Sequence, residues 1–143
     1  MDNIIIRQLT LNDYTEYLHL ITNFRKTEFT KEKFVEIFHE IMKSSEIWVI
    51  EKDNKLIGTG TIIYEYKYIF DICILAHIED VCIQTDVRNS GYGKILMHKL
   101  IEEAKKKECY KITLDCMENN VPFYEKCGFE KRGHQMTVFF GKT

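Results

Sequence analysis

Two neighbouring carboxylates, Glu79 and Asp80, interrupt an apolar run that starts at Ile72 and continues through Val81, Cys82 and Ile83. Regular alternation in a strand sends one of them to each face. An ionised carboxylate turned inward is costly unless it has partners, so such a pair is a candidate for handling a proton or a cationic group. Just beyond, Arg88-Asn89-Ser90-Gly91-Tyr92-Gly93-Lys94 sets two glycines at the start of an amphipathic helix. The first N–H groups of a helix have no partner, and the macrodipole places about half a positive charge there. Glycine lets that backbone come close to a ligand, so the chemistry is an anion cradle suited to a pyrophosphate. No third glycine follows three residues on, as a dinucleotide fingerprint requires, and no Gly-Lys-Ser/Thr ending marks a nucleotide P-loop.

The elements that must position these groups follow from pattern. Ile4-Ile5-Ile6-Arg7-Gln8-Leu9 reads as a first strand. Asn12 or Asp13 offers a cap for a helix with Tyr14, Tyr17, Leu18 and Ile21 on one face, and Thr30 caps a second with Phe34, Ile37, Phe38 and Ile41. Between them, Arg25, Lys26 and Thr27 form either a solvated turn or a lip over a site for a negatively charged substrate. Residues 46–50 and 55–66 read as strands joined at Lys52-Asp53-Asn54, followed by a turn at Lys67, Tyr68, Ile69 and Phe70. The helix from Gly93 to Lys107 turns Leu96, Leu100, Ile101 and Ala104 inward and ends on three lysines, where cations suit the dipole. A strand over 110–116 and a short helix from Asn119 or Asn120, with Pro122 in its first turn and Gly128 as its stop, come next. Phe129 and residues 135–140 read as closing strand material. This order predicts an α/β (α+β) architecture, with a mainly antiparallel first half joined to a β–α–β–α–β second half.

Bulk properties narrow the function classes. The 143 residues predict a single domain spanning 1–143, with 45% hydrophobic and 29% charged residues typical of soluble globular protein. A net charge of −2 gives no reason to expect nucleic acid. No apolar run is long enough for a membrane span and no signal peptide pattern opens the chain, so a soluble, intracellular, cytoplasmic protein is expected. The cysteines, Cys73, Cys82, Cys109, Cys116 and Cys127, lack Cys-x-x-Cys spacing. They are expected to be reduced and mostly buried, with no metal site and no cysteine nucleophile.

The glycine turn resembles the acetyl-CoA signature of the GNAT N-acetyltransferases. The element order is similar to that fold, a mixed central sheet flanked by helices, over nearly the whole chain. Four blocks, His77-Ile78-Glu79-Asp80-Val81, residues 88–94, Cys109-Tyr110-Lys111-Ile112-Thr113-Leu114-Asp115-Cys116 and residues 120–129, resemble the glucosamine 6-phosphate N-acetyltransferase family in order and spacing. The resemblance implies acetyl-CoA as co-substrate, an amino-sugar phosphate as acceptor, a place in UDP-N-acetylglucosamine biosynthesis and a homodimer. It implies that Glu79 and Asp80 orient the amine and take its proton, and that Tyr124 hydrogen-bonds the departing sulfur. It further implies that Val81, Cys82 and Ile83 pair with the pantetheine arm, that Arg88, Asn89, Ser90, Gly91, Tyr92, Gly93 and Lys94 hold the pyrophosphate, and that Asp115 and Asn120 lie near the cofactor. Lys67, Tyr68, Ile69, Phe70, Tyr110 and Lys111 would line the sugar phosphate. Two positions depart from that family: an arginine common near its C-terminus falls on Phe139, and a frequent histidine falls on Phe70. Lys67, Lys111 or Arg25 are the cations that could replace them. Another small amine or a protein amine as acceptor, and a silent CoA-binding module, are the alternative functions.

Overall fold

The computed structural model describes residues 3–141. Among these, five strands form one sheet in the order β1 (Ile4–Gln8), β2 (Ser45–Lys52), β3 (Lys55–Lys67), β4 (Cys73–Ile83) and β5 (Lys111–Leu114). The first four are antiparallel, and β5 lies parallel to β4. Helices α1 (Tyr14–Phe24) and α2 (Lys31–Ile41) precede β2, α3 (Tyr92–Lys106) crosses from β4 to β5, and α4 (Val121–Lys126) follows β5.

Each face of the sheet buries its own core. Trp48, Ile50, Ile62, Tyr64, Ala76 and Ile78 pack against Tyr92, Leu96, Met97, Leu100 and Ala104 of α3. Ile47, Val49, Leu56 and Cys82 pack on the opposite face with Leu20 of α1 and Phe34 of α2. Met97 takes the fully buried place that the helical pattern assigned to Ile101, which is only partly covered. Glycine is required where α3 crosses β3: a Cβ on Gly60 would lie 2.9 Å from Leu100 Cδ1.

Three local expectations are refined. Asp13 holds the N-cap position of α1 as expected, but its side chain makes no cap bond there; it closes a capping box on the preceding 3-10 turn, where the Thr10 hydroxyl accepts from Asn12 N–H and the Asp13 carboxylate accepts from Thr10 N–H. Strand β5 spans four residues and stops at Leu114, so Asp115 and Cys116 lie beyond it. Residues 135–140 form no strand: Met136, Val138, Phe139 and Phe140 stand exposed and find no ladder partner among the described residues. Thr30 does cap α2, accepting from Lys33 N–H at 3.2 Å. Among the cysteines only Cys82 is buried; Cys73, Cys109 and Cys127 are partly covered, Cys116 is exposed, and all are free thiols.

One ion cluster ties β1 to the start of α1. The nearly buried Asp13 carboxylate accepts from Arg7 Nη1 at 2.9 Å, Arg7 Nη2 at 3.0 Å and Thr10 N–H at 2.7 Å, while Arg7 also donates to Glu51 at 3.0 Å. Burial pushes the Asp13 carboxyl up, but the bonds from Arg7 and Thr10 outweigh it and hold the group below the usual carboxylate range. A depressed carboxyl stabilises the fold above its unfolded value, near pH 4, and that stabilisation is lost as pH falls through the folded value. Asp13→Asn should therefore cost about 2–4 kcal/mol at neutral pH. The same variant should flatten the acid end of the stability curve, as read by urea denaturation at several pH values. A loss below about 0.5 kcal/mol would remove this cluster from the stability of the fold.

Candidate active site

The site is built around an irregularity in β4. Thr61 pairs with Glu79 and Thr59 pairs with Cys82, so two steps of β3 span three of β4 and one extra residue is accommodated. Asp80 takes up that residue with a φ of 53°. The bulge breaks the alternation that would have separated the carboxylates. Glu79 and Asp80 are both exposed, and both line one cavity of about 250 Å³ with Tyr17, Ile41, Ser45, Ile47, Thr61 and Ile63. The sequence reading placed one carboxylate inward on regular pleating; the bulge turns both toward the cavity instead.

Burial pushes the Glu79 carboxyl up, and Asp80 and Asp115 add to the shift while His77 opposes it. Tyr17 was legible only as a buried helix position, yet its ring walls this cavity. Burial, with a contribution from Asp80, raises its hydroxyl to about 12 although it hydrogen-bonds with Thr59. It stays protonated at neutral pH, bonded to Thr59 at the wall of the cavity.

Beyond Ile78 the outer edge of β4 is free of β5, because the parallel pairing covers only Leu75 to Ile78. Val81, Cys82 and Ile83 therefore present main-chain groups on that side, the arrangement an extended arm could join as an added strand. Cys82 turns its side chain into the core, and burial raises its thiol to about 11, so only its backbone is available. The Ile83 carbonyl accepts from Arg88 Nε at 3.1 Å.

The glycine turn follows. Asn89 and Gly91 have φ values of 67° and 87°, and Gly91 is the N-cap of α3. No acid occupies the first turn of α3, and a Cβ on Gly91 would meet no atom within 4 Å. Conformation, rather than crowding, demands glycine here, and the space over the helix mouth is open. The residues present fit a pyrophosphate, held by N–H groups of residues 89–94 with Lys94 exposed alongside. The Tyr92 side chain is buried in the core, so its contribution is main-chain. Gly93 is crowded from the other side, since its Cβ would lie 3.1 Å from Phe123 of α4. This contact sets α4 beside the turn and with it Tyr124, whose hydroxyl is raised to about 12 by burial and then by Cys116 and Cys127. Asn120 lies at the start of α4, and Asp115 accepts from Gln135 Nε2 at 3.1 Å.

The remaining predicted residues are not gathered here. Lys67 ends β3, six residues from Thr61, which is about 20 Å along a strand. Tyr68, Ile69 and Phe70 follow in a turn where Phe70, Asp71 and Ile72 all have positive φ. Phe70 stacks on Tyr110 at 4.9 Å, with Lys111 exposed next to it. The chain thus has one cluster at the bulge and a second, aromatic and basic, at the far end of the sheet.

Comparison with known proteins identifies the family of the chain. The model of the acetyltransferase (GNAT) family matches residues 10–129, and the chain belongs to that family, whose members use acetyl-CoA as co-substrate. Within it, the chain is 35% identical to glucosamine 6-phosphate N-acetyltransferase 1 of Dictyostelium discoideum, covering 96% of this chain and 92% of the relative. It is 33% identical to the glucosamine 6-phosphate N-acetyltransferase of Arabidopsis thaliana, covering 94% and 95%. The crystal structure of the Arabidopsis enzyme superposes with a TM-score of 0.93 at 32% identity, covering 98% of this chain and all of that one.

Gly91→Ala tests the cradle. A side chain held at positive φ costs about 1–2 kcal/mol, so acetyl-CoA affinity by calorimetry should fall about tenfold while the protein still folds. Gly91→Asn, which tolerates that conformation better, should lose less. Wild-type affinity in Gly91→Ala would rule out the turn as the pyrophosphate site.

Proposed function

We propose that the chain transfers the acetyl group of acetyl-CoA to the amine of glucosamine 6-phosphate, giving N-acetylglucosamine 6-phosphate and CoA. The observation that carries this is the bulge: it brings Glu79 and Asp80 into one cavity beside the free edge of β4. An amine and an acyl donor laid along that edge would meet there. The relatives of known name supply the identity of the acceptor. Acetyl-CoA supplies the activated acyl carbon.

The chain's own groups do the rest. Glu79 and Asp80 bind the substrate ammonium, and Glu79, its carboxyl pushed up by burial, accepts the proton. The amine nitrogen then forms the N–C bond as the C–S bond breaks, and the second nitrogen proton passes to the departing thiolate, so the amide and the CoA thiol are released with one proton left on Glu79. The Val81 N–H, beside the bulge, serves the developing oxyanion. Tyr124 retains its proton well above neutral pH and donates to the leaving sulfur. No covalent bond to the protein is needed. For the substrate phosphate, Lys67 and Lys111 are the cations of choice. Lys67 sits 3.4 Å from Glu65, a long pairing that a dianion could displace.

These lysines also argue for a homodimer. Residues 67–70 lie about 20 Å from the bulge along β3, further than a phosphorylated hexose reaches, so a site using both ends is completed by a second copy. The exposed Met136, Val138, Phe139 and Phe140 offer that copy an apolar strip. The reading extends to a single domain working inside the cell.

Release of free thiol from acetyl-CoA tests the function with glucosamine 6-phosphate, glucosamine and a lysine peptide in parallel. Turnover is expected only with the phosphorylated sugar; turnover with the peptide alone would replace the acceptor. Tyr124→Phe should lower kcat about 10²-fold with acetyl-CoA affinity unchanged, and unaltered kcat would remove Tyr124 from the mechanism. Lys67→Ala and Glu79→Gln should each be nearly inactive, while a mixture refolded together should regain about a quarter of wild-type activity if sites are shared between two chains. No regain would place both residues in separate functions or in one chain's site.

A further inference from the structure

Between the bulge and the far basic end, three strands are linked by side chains that the reaction above does not use. His77 Nε2 lies 2.8 Å from Glu65 Oε1 on β3, and His77 Nδ1 lies 3.0 Å from Thr113 Oγ1 on β5. The register agrees, since Thr113 is the partner of His77 across the parallel ladder. Ala76 and Ile78 turn to the α3 core, so His77 and Glu79 share the opposite face, the one that carries the cavity.

We propose that His77, held by Glu65 and Thr113, is a positioning residue that sets the aim and charge of the Glu79 carboxylate for the acceptor amine. This rests on the role given to Glu79 above. The geometry has two consequences. Thr113 is the penultimate residue of β5, so the bond to His77 fastens β5 to β4 immediately before the strands part. Glu79 is the first β4 residue past the end of the parallel ladder, one residue beyond the Ile78–Leu114 pair, and its backbone direction depends on where that pairing stops. Secondly, both ring nitrogens stay bonded in either charge state. Glu65 is held below the usual carboxylate range, first by the bond from His77 and then by Lys67, so it remains an acceptor for Nε2–H. In the neutral ring Nδ1 then accepts from the Thr113 hydroxyl; in the charged ring Nδ1–H donates to the same oxygen, which turns its own hydrogen away.

The charged groups around this pair are Glu65, bonded to the ring and itself paired with Lys67 on β3, Glu79 two residues along the same strand, and Asp80 and Asp115, which act on Glu79. Asp80 and Asp115 push the Glu79 carboxyl up and His77 alone among its named neighbours pulls it down. Loss of the imidazole should raise Glu79 further. A base that must be ionised then works only at higher pH, so the acid limb of kcat/KM should move alkaline.

The test uses five full-length variants, with glucosamine 6-phosphate as acceptor. His77→Gln should shift the acid limb alkaline by about half a unit or more and raise the acceptor KM several-fold, with acetyl-CoA affinity unchanged. Glu65→Gln, which replaces the carboxylate holding the ring with a weaker neutral acceptor, should raise the acceptor KM by less. Thr113→Val should raise the acceptor KM, and Thr113→Ser should restore it. Glu79→Gln separates the two readings: if it retains wild-type kinetics, the role of Glu79 falls. If Glu79→Gln is impaired while His77→Gln and Thr113→Val keep the wild-type acid limb and KM, the positioning role falls and Glu79 stands. A lower Tm in the His77 and Thr113 variants with unchanged pH profile would likewise overturn it, leaving a purely structural link.

Discussion

The structure turns on one geometric constraint, the extra residue in β4 that Gly60 makes room for. With regular pairing, Glu79 and Asp80 would point to opposite faces, and one would enter the apolar layer beneath α3. Three residues of β4 against two of β3 rotate the chain at Asp80 and restore alternation beyond it, so that Val81 and Ile83 rejoin the α3 side while Cys82 fills the other core. The bulge begins where the pairing with β5 ends, so the free edge of β4 and the paired carboxylates lie side by side. Gly60 permits the bulge, because Leu100 packs against its bare backbone and anchors α3 across the irregular stretch.

Local signals in the sequence carried much of this fold. The 3.6-residue spacing from Leu96 to Ala104, the Thr30 cap and the glycines at 91 and 93 each depend on neighbours within one turn, and the elements formed where those signals put them. The bulge was not legible in the same way. It is a relation between β3 and β4, and neither strand's composition states how many residues oppose how many. Reading Glu79 and Asp80 from alternation alone therefore sent them apart. Residues 135–140 failed for a related reason. Their pattern suits a strand, but a strand exists only with a neighbour, and no described edge of this chain pairs with them. Tyr17 was hidden differently: its place on the helical face of α1 shows burial, and only tertiary contact shows that it is buried against Asp80 and Thr59.

The two faces of the sheet divide the work. The α3 face is closed, with Ile50, Ile62, Leu96, Met97 and Leu100 entirely out of water. Interiors of that density resist local change, so the turn at the mouth of α3 is held on a firm support. The opposite face carries polar groups in series along β3 and β4: Thr61 and Glu79 at the cavity, then Glu65, His77 and Thr113, then Lys67 and Lys111. Such a row on a half-covered face would be wasteful in a purely structural sheet. It suits a surface whose two ends serve polar ligands in different sites of a dimer.

Burial, rather than any special partner, is the first cause of the raised proton affinities of both Glu79 and Tyr124. The same cause serves opposite ends of the proposed reaction. A carboxylate taken partly from water becomes a stronger base, closer to the range in which it can accept a proton from an ammonium. A phenol taken from water holds its proton more firmly and remains a donor at neutral pH. Partial desolvation thus moves both groups toward their tasks at once. The cost falls on Glu79, which lies near two further acids, Asp80 and Asp115. His77 opposes that shift and lies on the same face of β4, where Glu65 and Thr113 hold its ring.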